Sequence, residues 1–163
     1  VLNSDGLAWR PNIHILDVCK SILFAINSSY SEPKLLVLNV GDSSNNIRIL
    51  DLAKKVSSMV PSSNVLFLSQ DPSLDKEGLI ADRKIKHNSR DSRSYQVAFD
   101  KISSSFPSYS CDYSIEDGIK EMITKLESIN FNSSIFKDIG FYRLQKLEYL
   151  YNSNLISDDL TWI

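Results

Sequence analysis

Two arginines have the side-chain chemistry and the local setting of ligands for a phosphate group. Arg10 precedes Pro11, which biases it toward an extended backbone suited to presentation from a loop, and Arg93 enters a predicted strand from a polar loop. A guanidinium is permanently charged and offers paired N–H donors, so it can hold a phosphate through two hydrogen bonds. On residue type alone, Arg10 is either a surface ion-pair partner or an anion ligand.

A tyrosine followed four positions later by a lysine occurs twice, and neither pair has a catalytic setting. On a helix, this spacing lets a lysine promote ionisation of a tyrosine that acts as a general acid or base. Tyr30 and Lys34 enclose Pro33 in a predicted turn, whereas Tyr142 and Lys146 lie on a predicted helix that no glycine-rich strand precedes. We therefore assign no catalytic residue.

The glycines are too widely separated for a dinucleotide-binding fingerprint. Such a site brings a pyrophosphate against the backbone at a strand–turn–helix junction, which requires closely spaced glycines. The five glycines of this chain are Gly6, Gly41, Gly78, Gly118 and Gly140. The sequence therefore reveals no NAD site within the chain.

His14 and the cysteines are predicted to be structural. No Cys, His or acidic partner lies at metal-ligand spacing from His14, so we predict no metal site. Cys19 and Cys111 form no CxxC pair, and the apolar helical face around Cys19 predicts a buried free thiol. The sequence opens with no secretory signal and has no apolar run long enough to span a bilayer, which predicts a cytoplasmic protein without membrane partners.

Composition argues against nucleic acid as the main partner. The 163 residues are 42% hydrophobic and 23% charged, as in an ordinary soluble domain. Lys and Arg total 18 against 20 Asp and Glu, so no basic excess exists to neutralise a run of phosphates. A single pyrophosphate needs only one or two guanidiniums and remains compatible with this balance.

The elements that position these residues are predicted from apolar periodicity. Helices are expected at about 15–28, 49–60, 99–105 and 140–152, with a further helix that starts at a Ser114–Asp117 capping box and ends near 128. The first helix is expected to bury one face. That face consists of Ile15, Val18, Cys19, Ile22 and Ile26.

Short strands are predicted at 34–40, 64–69 and 93–98, between the helices. The polar stretch 71–90, which contains Arg83, Lys84 and Lys86, is predicted to be the most mobile segment. The pattern is mixed α/β with short, scattered strands, and it differs from a self-contained doubly wound sheet.

Four segments of the sequence are informative because of their order. They are SDG-x-x-WRP-x-x-H-x-x-D at Ser4–Asp17, NVG at Asn39–Gly41, D-x-RSY-x-V-x-FDKI at Asp91–Ile102, and SIEDGI-x-E at Ser114–Glu121. In this order they resemble the nucleotide-sugar epimerase/dehydratase family of extended short-chain dehydrogenases/reductases, over roughly residues 1–128. The start at Val1, close to the first of these segments, adds the expectation that the chain is a fragment.

The resemblance implies a fold and a domain organisation. Residues 1–128 would be the C-terminal substrate-binding lobe of an extended Rossmann-type dehydrogenase, and 129–163 a C-terminal helical extension. The Rossmann core would be missing, and with it the glycine-rich loop and the catalytic Thr/Ser and Tyr-x-x-x-Lys of relatives. Relatives are commonly dimers through that missing part, so a homodimer would form there.

The resemblance also implies ligands. Arg10 lies near the nucleotide diphosphate in relatives, Arg93 is placed to hold the pyrophosphate, and Asn39 and Asn46 are implied contacts to the sugar or the base. The complete enzyme would act on a nucleotide-diphosphate sugar with NAD or NADP, which the N-terminal part would bind. This chain alone is expected to be inactive. The alternatives are a non-catalytic interaction module and a split subunit that reuses this lobe.

Overall fold

The computed structural model describes residues 1–28, 35–68, 70, 71, 73, 93–136 and 138–163. Within these residues the chain is mixed α/β, as predicted, with six α-helices and one two-stranded antiparallel sheet. It divides into two units, Val1–Met122 and Ile123–Ile163. The division after residue 128 that the resemblance implies stays a prediction.

The sheet joins two segments that the sequence did not mark as strands. Strand β1 is Trp9–Pro11 and strand β2 is Asn46–Arg48, and Trp9 pairs with Arg48, Arg10 with Ile47, and Pro11 with Asn46. Backbone hydrogen bonds from Leu50 to Gly6 (2.8 Å) and from Asn12 to Asn45 (3.1 Å) extend the pairing beyond both strands. Each strand has only three residues, which is too few for alternation to be recognised in the sequence.

The predicted helices are confirmed to within a few residues. They are α1 (Ile15–Asn27), α2 (Ile49–Met59), α3 (Asp100–Ser105), α4 (Ile115–Ser128) and α6 (Arg143–Asn152). A one-turn helix, α5 (Ser133–Phe136), was not predicted, and short 3₁₀ turns occupy Ser43–Asn45 and Ile139–Phe141. The predicted capping box is present at the start of α4, because the Asp117 N–H donates to Ser114 Oγ and the Ser114 N–H donates to Asp117 Oδ2.

The predicted strands are wrong in the described residues. Residues 35–40 and 93–98 form no strand, and 64–68 contributes only an isolated bridge between Phe67 and Leu2. Alternation reveals that one face is apolar, but a strand also needs a neighbouring backbone, which the sequence does not specify. The predictions for Tyr30 with Lys34, and for the basic cluster Arg83, Lys84 and Lys86, lie outside the described residues.

The predicted buried face of α1 is also wrong. Ile15, Ile22 and Ile26 are 67%, 55% and 72% exposed, and Cys19 is an exposed rather than a buried free thiol. The helix instead turns Phe24 toward the rings of Phe106 and Tyr109 and buries Asp17 completely. The reason is that Asp17 accepts backbone hydrogen bonds from the residues before α4, which fixes the rotation of α1.

One hydrophobic core cluster of the first unit forms around α3. Its buried members are Phe99, Ile102 and Tyr109. Gly41 lies against Phe99 with a φ of +156°, and a Cβ at this position would be 2.6 Å from Phe99 Cε1. The position therefore favours glycine, because a larger residue would have neither the space for its Cβ nor a suitable backbone conformation.

Candidate functional site

Arg10 directs its guanidinium from β1 to the segment that begins at residue 93. Its Nη1 donates a hydrogen bond to the Trp9 carbonyl at 2.7 Å and another to the Arg93 carbonyl. Its Cζ lies 5.4 Å from the centre of the Tyr95 ring, within the range of a cation–π contact. The two arginines singled out in the sequence are therefore brought together in the structure.

The backbone of β1 also holds this segment. The Trp9 N–H donates to Ser94 Oγ at 3.1 Å, and the Tyr95 N–H donates to the Trp9 carbonyl at 3.4 Å. Residues 93–95 thus lie beside Trp9 without forming a regular ladder, partly because a side-chain hydroxyl replaces one backbone acceptor. This explains why a segment with a strand-like sequence is not a strand.

Asn46 replaces a backbone partner for the same segment. Its Nδ2 donates to the Val97 carbonyl at 3.0 Å, and the Val97 N–H donates to its Oδ1 at 3.0 Å. Nδ2 also donates to the Ser43 carbonyl at 3.2 Å. The amide of Asn46 therefore anchors residue 97 to the start of β2.

Asn39 approaches the segment from residues 35–40, which were predicted to form a strand. Its exposed side chain donates through Nδ2 to the Ala98 carbonyl at 3.3 Å. Arg10, Asn39 and Asn46 thus all donate side-chain hydrogen bonds to carbonyls of residues 93–98. The four residues predicted to bind substrate converge on this one stretch, and their role toward a substrate stays a prediction.

Sequence reasoning missed Arg48 and Tyr95 as neighbours of this site. Arg48 is the cross-strand partner of Trp9, and its Cζ lies 5.2 Å from the centre of the Trp9 ring. The register of the antiparallel pair β1–β2 would have revealed this contact, but the strands themselves were not recognised. Tyr95 belongs to the RSY motif quoted above, but no role was predicted for it.

His14, which was predicted to be structural, contacts both α1 and α4. His14 Nδ1 accepts the Leu16 N–H at 3.3 Å and so caps α1, while its Nε2 lies 2.9 Å from Glu121 Oε2. Its ring stacks on Tyr113 at 4.1 Å. Among the described residues, no group of three His, Cys, Asp or Glu side chains has the arrangement of a metal site.

Two titratable side chains, Tyr109 and Cys111, lie in or against the core cluster. Burial raises the pKa of the Cys111 thiol, and burial also raises the pKa of the Tyr109 hydroxyl, which lies 3.8 Å from the sulfur. Both groups therefore stay neutral near pH 7. In contrast, hydrogen bonds from the hydroxyl and the N–H of Ser44 lower the pKa of Asp42, which stays ionised.

No protein-family model matches this chain, and no curated protein or solved structure matches it either. Among the helices that the structure describes, none has both the length and the apolar character that crossing a bilayer requires.

Proposed function

We propose that this chain binds the diphosphate of a nucleotide-diphosphate sugar, as the substrate-binding part of an NAD- or NADP-dependent epimerase or dehydratase. The observation that carries the proposal is the hydrogen bond from the Arg10 guanidinium to the Arg93 carbonyl, which spans 83 positions of the sequence. It brings together the arginines of two segments that each resemble the family.

The two arginines have different parts in the proposal. Arg93 is exposed and directly follows the polar stretch, so its guanidinium is the ligand for the diphosphate. Arg10 is half-buried, and two carbonyls already accept hydrogen bonds from its Nη1, so it positions Arg93 and adds positive charge.

The cofactor is proposed to bind to an NAD(P)-binding part outside these 163 residues, either in the same polypeptide or in a separate chain. The residues present do not fit the cofactor, because no closely spaced glycines form a cradle for its pyrophosphate. The exposed apolar side chains Ile15, Ile22, Leu23 and Ile26 of α1 support association with a further part. Within this proposal, the chain orients the sugar through its diphosphate.

Calorimetric titration of the 163-residue chain with UDP-, TDP-, GDP- and CDP-sugars tests the proposal. We expect at least one of them to bind, and Arg93→Ala to weaken that binding by about 10- to 150-fold, the range for a hydrogen bond to a charged group. Arg143→Ala, which removes an exposed arginine from α6, is the matched control and should bind like the original chain. Failure of every nucleotide sugar to bind, or full affinity in Arg93→Ala, would refute the proposal.

A further inference from the structure

We infer that the ring of Tyr95 is the platform on which the nucleobase of the bound ligand stacks, so that the site selects a nucleoside diphosphate over a bare diphosphate. The inference rests on the proposed function, because it places the base beside the same two arginines. It adds a subsite for a planar aromatic group, which the arginines alone do not provide.

The first support is that Tyr95 is an exposed ring on a tethered backbone. Its side chain is 53% exposed, so it contributes little to the core. Its own N–H donates to the Trp9 carbonyl, Ser94 Oγ accepts the Trp9 N–H, and the amide of Asn46 holds Val97 two residues further on. A ring on a tethered backbone loses little conformational entropy when it stacks on a ligand.

The second support is the cation beside the ring. Arg10 Cζ lies 5.4 Å from the centre of the Tyr95 ring, so a positive charge and an aromatic surface adjoin each other. Nucleotides present the complementary pair of groups, a planar base and an anionic phosphate. Base–aromatic stacking and charged hydrogen bonds to phosphate are the two contacts that proteins use for such ligands.

The third support is distance along the chain. Tyr95 is two residues from Arg93, so their Cα atoms are at most about 7 Å apart. In a nucleoside diphosphate, a single ribose separates the base from the first phosphate. One ligand can therefore reach the Tyr95 ring with its base while its diphosphate contacts the Arg93 guanidinium.

The test compares inorganic pyrophosphate with UDP, TDP, CDP, GDP and ADP as ligands of the 163-residue chain. We expect at least one nucleoside diphosphate to bind about 5- to 150-fold more tightly than pyrophosphate, the range for stacking of one base. Tyr95→Ala should remove this advantage, so that no nucleoside diphosphate binds more tightly than pyrophosphate. Tyr95→Phe should keep the advantage, because it keeps the ring.

The control is Tyr149→Ala. Tyr149 is 50% exposed and has Lys146 Nζ 5.1 Å from its ring centre, so it matches Tyr95 in exposure and in its neighbouring cation. This variant should keep the preference for the nucleoside diphosphate. Equal affinity for pyrophosphate and every nucleoside diphosphate, or a preference that survives Tyr95→Ala, overturns the stacking site but leaves the diphosphate site standing. Absence of binding by every ligand overturns both.

Discussion

Asp17 accepts a hydrogen bond from the backbone N–H of Asp112 at 2.8 Å, although its own side chain is completely buried. The other carboxylate oxygen accepts the Tyr113 N–H at 3.2 Å, and the Asp17 carbonyl accepts the Tyr109 hydroxyl at 3.0 Å. One residue of α1 thus forms hydrogen bonds with three residues that precede α4, namely Tyr109, Asp112 and Tyr113. Because the carboxylate is out of contact with water, these bonds are its compensation for lost hydration.

We expect Asp17→Asn to lower the free energy of unfolding by about 1.5–3 kcal/mol, the range for loss of a hydrogen bond to a charged group. An amide has only one acceptor oxygen, so its NH₂ group would face one of the two backbone N–H donors. Urea denaturation followed by far-UV circular dichroism measures the change. Asp51→Asn, at an exposed position of α2, should change stability by less than about 0.5 kcal/mol. Equal effects of the two substitutions would contradict the role of Asp17.

Gly41 and Gly118 are expected to respond to alanine with opposite signs. At Gly41 the new Cβ would lie 2.6 Å from Phe99 Cε1, so Gly41→Ala should destabilise the chain by about 1–3 kcal/mol through overpacking. At Gly118, inside α4, the nearest atom is His14 Cδ2 at 3.4 Å, so Gly118→Ala should stabilise it by about 0.5–1 kcal/mol. Thermal unfolding of both variants checks the signs, and a loss of stability in both would show that α4 has no room for a methyl group.

Local patterns in the sequence predicted the helices, because their hydrogen bonds and caps lie within a few residues of each other. The capping box of Ser114 and Asp117 is one such pattern, and it is present in the structure. Long-range features were not predictable in this way. The pairing of Trp9 with Arg48 depends on two distant segments, and the rotation of α1 depends on where Asp17 finds backbone donors.

The same contrast between local patterns and long-range contacts applies to the candidate site. Residue chemistry and motif order selected Arg10 and Arg93, and the structure brings them together. Sequence reasoning did not predict that Arg10 would donate to a carbonyl, or that Asn46 would hold Val97, because side-chain bonds to distant backbone have no periodic signal.

The stability of the chain should fall in acid partly because of Asp117. The hydroxyl and the N–H of Ser114 donate to its carboxylate and lower its pKa from the ordinary value of 3.8. Between the folded and the ordinary pKa the unfolded chain binds more protons. The stabilisation is therefore present above the ordinary pKa and is lost as the pH falls through the folded pKa. Urea titrations from about pH 5 to pH 2 should show a shallower decline for Asp117→Asn than for the original chain.

Ser114→Ala provides a second measurement of the same effect. It removes the hydroxyl that donates to Asp117, so its acid decline should also be shallower. If both variants lose stability as steeply as the original chain, carboxylates other than Asp117 account for the acid sensitivity.

Arg10→Lys should loosen the backbone at Tyr95. A lysine lacks the planar fork that donates to the Trp9 and Arg93 carbonyls, so the segment loses a tether. We expect the Tyr95 amide, which donates to Trp9, to exchange its hydrogen about 2- to 10-fold faster, in line with one lost hydrogen bond. Arg48→Lys is the control and should leave the exchange rate of the Tyr95 amide unchanged, because Arg48 contacts the Trp9 ring. An unchanged exchange rate in Arg10→Lys would show that Arg10 does not hold Arg93 in position.

The exposed apolar side chains of α1 should contribute little to the stability of the chain itself. Ile26 is 72% exposed, so Ile26→Lys should change the free energy of unfolding by less than about 0.5 kcal/mol. Ile102, a buried member of the core, provides the contrast, because Ile102→Ala should cost about 2–5 kcal/mol. A large loss in Ile26→Lys would mean that α1 packs on its own chain through this face.

The paired bonds between Asn46 and Val97 have a consequence for which substitutions each position tolerates. At 97 both bonds involve the backbone, so many side chains are compatible with them, whereas proline removes the N–H that Asn46 Oδ1 accepts. At position 46 the side chain itself must supply both a donor and an acceptor, and both must reach the backbone of Val97. Aspartate supplies only acceptors when ionised, and glutamine is one methylene longer. Sequence drift is therefore permitted on one side of this contact and restricted on the other.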